Sequence, residues 1–392
     1  MSDPWVAIIG LGEDGLAGLT DASRSALAQA EIIFGGPRHL DLVAAGAKGR
    51  AWPVPFSVDP LLACRGRRVV CLASGDPFWF GAGGSLSVHL TPDEWQVFPA
   101  PSTYSPAAAR MGRRLEEITC HGLHAAPFAR LRPVLGKGAR AICLLRDAAA
   151  PAALAQWLCD QDLTATLTVL EALGGPQERI RTVPAAGFAL TDIAPLVAVA
   201  IEVTAGKGLS RASGLEDALF ASDGQITKRP VRALTLSALA PRQNELLWDI
   251  GAGSGSISIE WCLAGGRAVA FELREDRTAN IRANISGFGL DHRMVVTTVD
   301  AARALTDQPL PDAVFVGGGG SAALFDQLWT LLPEGTRLVA NGVTLETESL
   351  LAQQQAQRGG NLLRIDLAQA VPLGRMRGWQ ASRPVVQWSV VR

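Results

Sequence analysis

The sequence predicts an α/β protein built from two units, and three observations carry that reading. Apolar runs of strand length alternate with stretches of helical period along the whole 392-residue chain, the signature of strands and helices in alternation. At about 150 residues per core, used as a soft prior, this length calls for two or three cores. Between two such series lies a stretch rich in Gly and Ser, from Thr204 to Gly214, which reads as a linker. The expected division is residues 1–205, a linker at 206–214, and residues 215–392.

In the first series the strand-length runs are Trp5 to Ile9, Arg68 to Ala73, Ala139 to Leu145, Thr166 to Leu170 and Val197 to Val203. The second holds Glu245 to Ile250, Arg267 to Glu272, Met294 to Asp300, Asp312 to Gly317, Arg337 to Asn341, Leu362 to Asp366 and Val385 to Val391. Long helical connections join the first five of these, with shorter structure near the end. That pattern suits an open sheet of seven strands with a late antiparallel member. No repeat period relates the two series.

Composition narrows the function classes. Lys and Arg total 36 against 37 Asp and Glu, a net charge of -1, so no global basic field exists to hold a nucleic-acid backbone. The halves are also near neutral, 17 basic against 19 acidic up to Ala205 and 19 against 18 beyond it. No run reaches the roughly 18 apolar residues needed to span a bilayer; Ala189 to Val203 is broken by Asp192, Pro195 and Glu202. The opening Met1-Ser2-Asp3-Pro4-Trp5 lacks the basic and apolar regions of a signal peptide, so a cytoplasmic protein is expected. Six cysteines show no Cys-x-x-Cys, and several sit in apolar runs as buried thiols do. Cys120, His121 and His124 have no second half-site, so no metal is expected.

The chemistry-bearing motifs lie at strand ends. Leu246 to Ile250 runs into Gly251-Ala252-Gly253-Ser254-Gly255, with a helix expected from near Ser256. Glycines at a strand-to-helix turn let the backbone approach a ligand. The spacing is not the dinucleotide G-x-G-x-x-G, and Asp249 before the turn would repel a pyrophosphate while suiting a cationic ligand. One helix later Glu272 closes the next strand where a ribose diol would lie, and Asp300-Ala301 closes the third. After the fourth strand stand Gly317-Gly318-Gly319-Gly320-Ser321, without the amine-polarising and aromatic groups of amino-directed nucleic-acid methyltransferases. Four glycines leave room for a large flat substrate and offer N–H donors to carboxylates. In the first half, Gly10-Leu11-Gly12-Glu13-Asp14-Gly15 matches G-x-G-x-x-G, but its two acids make it a weak dinucleotide site. Ser74-Gly75-Asp76-Pro77, Pro101-Ser102-Thr103 and His121-Gly122 follow.

On these residues the second half resembles the class I S-adenosylmethionine (SAM) methyltransferases, with a Rossmann-like seven-stranded sheet. Gly224 to Ala233, Val316 to Gly320 and Asn341 to Thr347 narrow the resemblance to the decarboxylating precorrin methyltransferases of the cobalamin pathway. In that family the threonine matching Thr227 closes over SAM. The first half resembles the class III tetrapyrrole methyltransferases, whose two lobes hold SAM between them. It departs at Thr119-Cys120-His121-Gly122-Leu123, where the family more often has a serine and a basic residue around His-Gly.

Taken together, the resemblance implies an enzyme with two SAM sites per chain. It implies methylation of precorrin-6B at carbons 5 and 15, with loss of the ring-C acetate carboxyl as carbon dioxide, giving precorrin-8. Catalytic candidates are Asp76, Thr227 and Lys228, although Asp76 also fits a Pro turn. Cofactor contacts are expected at Gly10, Gly12, Gly75, Asp76, Pro77, Ser102 and Thr103, and at Thr227, Asp249, Gly251, Ala252, Gly253, Ser254, Gly255, Glu272, Asp300 and Ala301. Substrate contacts are expected at Gly317, Gly318, Gly319, Asn341, Arg375 and Arg383, with Arg229, Arg232 and Arg377 as further carboxylate anchors. The partner is a small tetrapyrrole, not nucleic acid or membrane, and a homo-oligomer is expected. Two competing readings are a scaffold whose glycine turns have lost their ligand and a dehydrogenase, the latter disfavoured by the 251, 253, 255 spacing.

Overall fold

The computed structural model describes residues 4–392; Met1, Ser2 and Asp3, read above as a non-signal start, lie outside the described residues. The chain forms two compact units. One comprises the chain up to Phe128 together with Val134–Gly208, and the other comprises Ala129–Pro133 and Leu209–Arg392. Arg132 accounts for the short excursion: its guanidinium donates to Gly287 O at 2.8 Å and lies over the Phe288 ring at 4.5 Å. Among the described residues no helix is long and apolar enough to cross a membrane.

The first unit holds two five-stranded sheets. Strands β1 (Val6–Leu11), β2 (Ile32–Gly35), β3 (Gly49–Ala51), β4 (Val69–Ser74) and β5 (Trp95–Phe98) pair in the order β3-β2-β4-β1-β5, all parallel. β1 and β4 are buried on both faces, which is why they read as continuous apolar runs. Strands β6 (Thr119–Gly122), β7 (Arg140–Leu144), β8 (Thr164–Glu171), β9 (Arg179–Pro184) and β10 (Val197–Ala205) follow, in the order β6-β7-β10-β8-β9. Only β6 and β7 pair in parallel there. β2, β3, β5, β6 and β9 are absent from the strand-length runs, because four are short and β9 is an edge strand alternating half-buried and exposed positions.

The second unit is a seven-stranded sheet of β11 (Leu246–Ile250), β12 (Arg267–Glu272), β13 (Met294–Thr298), β14 (Ala313–Val316), β15 (Arg337–Gly342), β16 (Asn361–Ile365) and β19 (Val385–Val391). Its order is β13-β12-β11-β14-β15-β19-β16, with β19 antiparallel to both its neighbours. These are the seven runs of the second series, and β19 is the late antiparallel member. The order reverses at β11, so the carboxyl ends of β11, β12, β13, β14 and β15 open on one edge at a topological switch point. The helix Ser256–Leu263 is buried from Ser256 through Cys262, as expected of a helix apolar on every side. Sequence patterning missed the hairpin of β17 (Ala368–Leu373) and β18 (Met376–Ala381), whose almost wholly exposed faces carry no core period.

Arg232 is no substrate anchor: it is 0% exposed on the helix Arg229–Leu239. Its Nε donates to Glu260 Oε1 at 2.6 Å and its Nη1 to Asp217 Oδ1 at 3.0 Å. Nη1 also donates to Thr227 O at 2.5 Å, and Nη2 to Leu215 O. Glu260 in turn accepts the backbone N–H groups of Gly214 at 2.6 Å and Leu215 at 2.8 Å. Removing one partner of a buried pair leaves an uncompensated charge. Glu260→Ala should therefore cost the second unit about 3–5 kcal/mol of stability, read by denaturant unfolding. An Arg232→Met, Glu260→Leu double variant should recover the part due to the unpaired charge, but not the bonds to Gly214 and Leu215 N–H, which leucine cannot accept.

Candidate functional site

At the carboxyl edge of the second unit the turn after β11 is fastened by backbone bonds. Gly251 and Ala252 N–H donate to Phe271 O at 3.0 and 3.1 Å, and Gly255 N–H to Ala252 O at 2.8 Å. The glycines serve different ends. A Cβ on Gly251 would stand 2.5 Å from Gly318 O, so that glycine admits a second backbone. Gly253 has φ +60° and nothing within 4 Å of a Cβ, so its open side faces free space while its left-handed backbone favours glycine.

Glu272, 6% exposed, lies beside this opening. Its Oε2 accepts Gly253 N–H at 2.9 Å and its Oε1 accepts Arg274 N–H at 3.0 Å. The acid expected at a ribose thus also braces the turn. Asp249 is 0% exposed; its Oδ2 accepts the Ser258 hydroxyl at 2.6 Å, while Oδ1 has no hydrogen-bond partner among the described residues. Burial, and to a lesser extent the Glu272 charge, push its carboxyl up to about 6. Ser254 O accepts from the Asn284 amide at 2.8 Å. Asp300 caps the short helix Ala301–Ala304 through Ala302 N–H at 3.1 Å, with Ala301 buried. Gly317 N–H donates to Ile250 O at 2.9 Å, while Gly318 and Gly319 are uncrowded.

The remaining expected residues divide. Thr227 and Lys228 precede the helix Arg229–Leu239, and Lys228 Nζ lies 3.9 Å from Asp217 Oδ2. Asn341 sits in a polar network: its Nδ2 donates to Thr235 Oγ1 at 2.9 Å and its Oδ1 accepts from Gln387 at 3.0 Å. That leaves one amide hydrogen for a substrate. Arg375 at the tip of the β17–β18 hairpin, Arg377 in β18, Arg383 beyond it and Arg229 are exposed. The hairpin leaves the sheet at the end of β16, on the same carboxyl edge as the glycine turn.

In the first unit the ends of β1, β2, β4 and β5 surround a cavity of about 970 Å³. A Cβ on Gly10 would lie 2.0 Å from Gly75 O, and one on Gly75 2.8 Å from Ser102 Cα, so three strand ends meet backbone to backbone. Gly12, Gly75, Ser102 and Thr103 line the cavity. Asp76 and Pro77 do not, and the structure gives Asp76 the turn-forming role: its Oδ1 accepts Phe78 N–H at 2.9 Å. Unforeseen in the sequence is a cluster on the cavity wall, where Arg38 is ion-paired with Glu13 and donates to His39 Nε2 and Ser74 Oγ, each at 2.9 Å. Arginine only donates, so His39 Nε2 is an acceptor and its proton sits on Nδ1. Burial and the Arg38 charge press the His39 imidazole down to about 4, keeping it neutral at pH 7. A Gly-Pro-Arg-His run after the short β2 was the available signal.

Comparison with known proteins finds a separate match for each part of the chain. A family model described as the precorrin methyltransferase domain matches residues 218–392, and one for tetrapyrrole (corrin/porphyrin) methylases matches residues 6–189. The chain is 48% identical to a Sinorhizobium precorrin-6Y C(5,15)-methyltransferase (decarboxylating), over 98% of this chain and 96% of that one. A Mycobacterium tuberculosis protein of the same name is 39% identical over 99% of this chain and 100% of its own length. A Pyrobaculum calidifontis protein, named "probable cobalt-precorrin-6B C(15)-methyltransferase (decarboxylating)", is 32% identical over 44% of this chain and 92% of its own length.

The Asp249 carboxyl yields a test with a defined sign. Its folded-state value, about 6, lies above its ordinary 3.8, so folding favours the protonated form. The group's contribution is most favourable below about pH 4 and is lost as pH rises through 6. Asp249→Asn should therefore gain stability relative to the parent between pH 4 and 6, by on the order of 1–3 kcal/mol, and level off above. A difference that is flat over this range in urea unfolding would show that the carboxylate ionises without cost.

Proposed function

The chain belongs to the precorrin-6Y C(5,15)-methyltransferase (decarboxylating) family, and from that premise we propose that it methylates precorrin-6B at carbons 5 and 15 and removes the ring-C acetate carboxyl, giving precorrin-8 in cobalamin biosynthesis. In this reading the first unit is a two-lobed class III tetrapyrrole methyltransferase and the second a Rossmann-like class I methyltransferase, divided at 1–205, 206–214 and 215–392. Each binds one SAM. The observation that carries the second site is Gly253, open on its Cβ side and held through its N–H by the Glu272 carboxylate at the switch point of the sheet.

The residues present fit that cofactor. In the second unit Gly251 to Gly255 would cradle it, Glu272 would turn its carboxylate to the ribose, Asp300 and Ala301 would flank the adenine, and the unpartnered Asp249 Oδ1 adds negative charge behind the turn. In the first unit Gly10 shapes the cavity floor, and Gly12, Gly75, Ser102 and Thr103 form its wall. When bound, SAM supplies a methyl group already activated as a sulfonium. The chain's task is then orientation, which explains why the candidate sites combine glycine turns with few titratable groups. Thr227 and Lys228 would close one side, and Gly317 to Gly319, Asn341, Arg375 and Arg383 would receive the carboxylate-rich macrocycle.

We assign carbon 15 and the decarboxylation to the second unit. Carbon 15 joins ring C to ring D, so one bound pose presents it together with the ring-C acetate, whereas carbon 5 lies across the macrocycle. A relative covering 44% of this chain has both activities in its name, which supports one site for the pair. Full-length chain with Gly253→Val should turn precorrin-6B and SAM into a product with one added methyl and every carboxyl retained, weighed by mass spectrometry. Loss of carbon dioxide by that variant would overturn the assignment. Glu272→Ala should weaken SAM binding at the second site by about 1–3 kcal/mol, read by calorimetry against two sites per parent chain.

A further inference from the structure

We propose that Asn284 is a positioning residue that fastens the segment Phe220–Lys228 to the glycine turn, so that this strap holds the cofactor in the second unit. The inference rests on the reading that SAM binds at Gly251 to Gly255. Asn284 projects from the helix Glu275–Gly287 and is 4% exposed. Its Oδ1 accepts Ala221 N–H at 2.7 Å, and its Nδ2 donates to Ala221 O at 3.0 Å and to Ser254 O at 2.8 Å. One planar amide therefore ties both backbone groups of a strap residue to the carbonyl of a turn residue. No other side chain of that size offers one acceptor and two donors in this arrangement.

The strap runs from there toward Glu272. Two helical turns before Asn284, on the same face of the helix, Arg277 Nε donates to Asp223 Oδ2 at 2.9 Å and its Nη2 to Gln225 Oε1. Arg274, whose N–H is held by Glu272, reaches Asp223 at 3.7 Å. At the strap's ends Phe220 packs on Phe288, ring centroids 5.2 Å apart, and Thr227 O accepts from Arg232. Between those ends the strap has no helix or strand of its own and is held by Asn284 and Arg277. Through Asn284 it is tied to Ser254 O and through Asp223 to Arg274, whose N–H Glu272 accepts, so in this proposal a ligand seated on Gly253 is held between the strap and the turn. Loosening the strap should speed ligand escape without changing how the reacting atoms meet.

The test uses the full chain and S-adenosylhomocysteine as the probe. Asn284→Ala should weaken one of the two sites roughly tenfold, through faster dissociation, and leave the other unchanged. The SAM KM for the carbon-15 reaction should rise by a similar factor, with kcat kept within about twofold, a split that loss of folded protein would not give. Should Asn284→Ala fail to fold, Arg277→Met carries the test, because it frees the strap while Asn284 still holds Ala221. Combined, the two substitutions should weaken binding by less than the product of their separate effects, since either releases the same segment. Unchanged affinity in both folded variants would overturn the inference. If Gly253→Val also leaves both sites intact, the placement of the cofactor is what fails; if it abolishes one site, only the role of Asn284 fails.

Discussion

The carboxyl edge of the second unit depends on one fully buried guanidinium. Arg232 is out of water among Phe220, Leu215 and the helix that follows the glycine turn, with the Phe220 ring 4.8 Å from its centre. Desolvating that charge is unfavourable by several kcal/mol. It is tolerated because Glu260, Asp217 and two backbone carbonyls take its donors. Two leucines in place of the pair would hold the helices together as well, but they would not specify where residues 214–228 lie. Glu260 sits on the helix after the glycine turn and also receives Gly214 and Leu215 N–H. One carboxylate therefore sets the start of the unit, the strap and the turn in a single frame.

The first unit meets a similar demand by other means. Its parallel sheet brings β1, β4 and β5 to the cavity with so little space between backbones that Gly10 and Gly75 cannot carry a Cβ without displacing a neighbouring chain. Charge is kept balanced there: Arg38 faces Glu13, and a neutral imidazole rather than a second cation takes its other arm. A protonated His39 would set two donors against each other at 2.9 Å.

The sequence was most legible where physics acts locally. Strand β11 and its turn were visible because a central parallel strand is apolar throughout and glycine is the residue that tolerates φ +60° or a backbone 2.5 Å away. That Glu272 closes the next strand was legible from spacing, one helix later at a strand tip. What spacing could not supply was which polar groups were already taken. Arg232, Asn341 and Asp76 are each of a type suited to a ligand, yet the first is fully bonded internally, the second has one free hydrogen and the third makes a turn. Such partners lie 5 to 106 residues away, or, for Asp76, two residues on in a loop whose direction the sequence does not set. Arg38, His39 and the exposed hairpin were hidden for a related reason, since short strands and solvated faces carry no period.

Methyl transfer makes the register between two loops the decisive quantity. Donor carbon and nucleophile must meet in line, and a misplacement of about 1 Å is enough to cost a hundredfold in rate. In the second unit the Gly251–Gly255 turn and the Gly317–Gly320 loop meet through main chain. Gly251 lies against Gly318, with room so limited that a Cβ on the former would sit 2.8 Å or less from three backbone atoms. Gly317 N–H is fixed to Ile250 O, the last residue before the turn. Two loops packed backbone on backbone, one bonded to β12 through Phe271 O and the other to β11 through Ile250 O, cannot slide independently. The four-glycine run thus has a reason beyond space for a flat substrate: it lets the Gly251–Gly255 turn and the loop beside it share one rigid edge, and it places the burden of alignment on main chain rather than on rotamers.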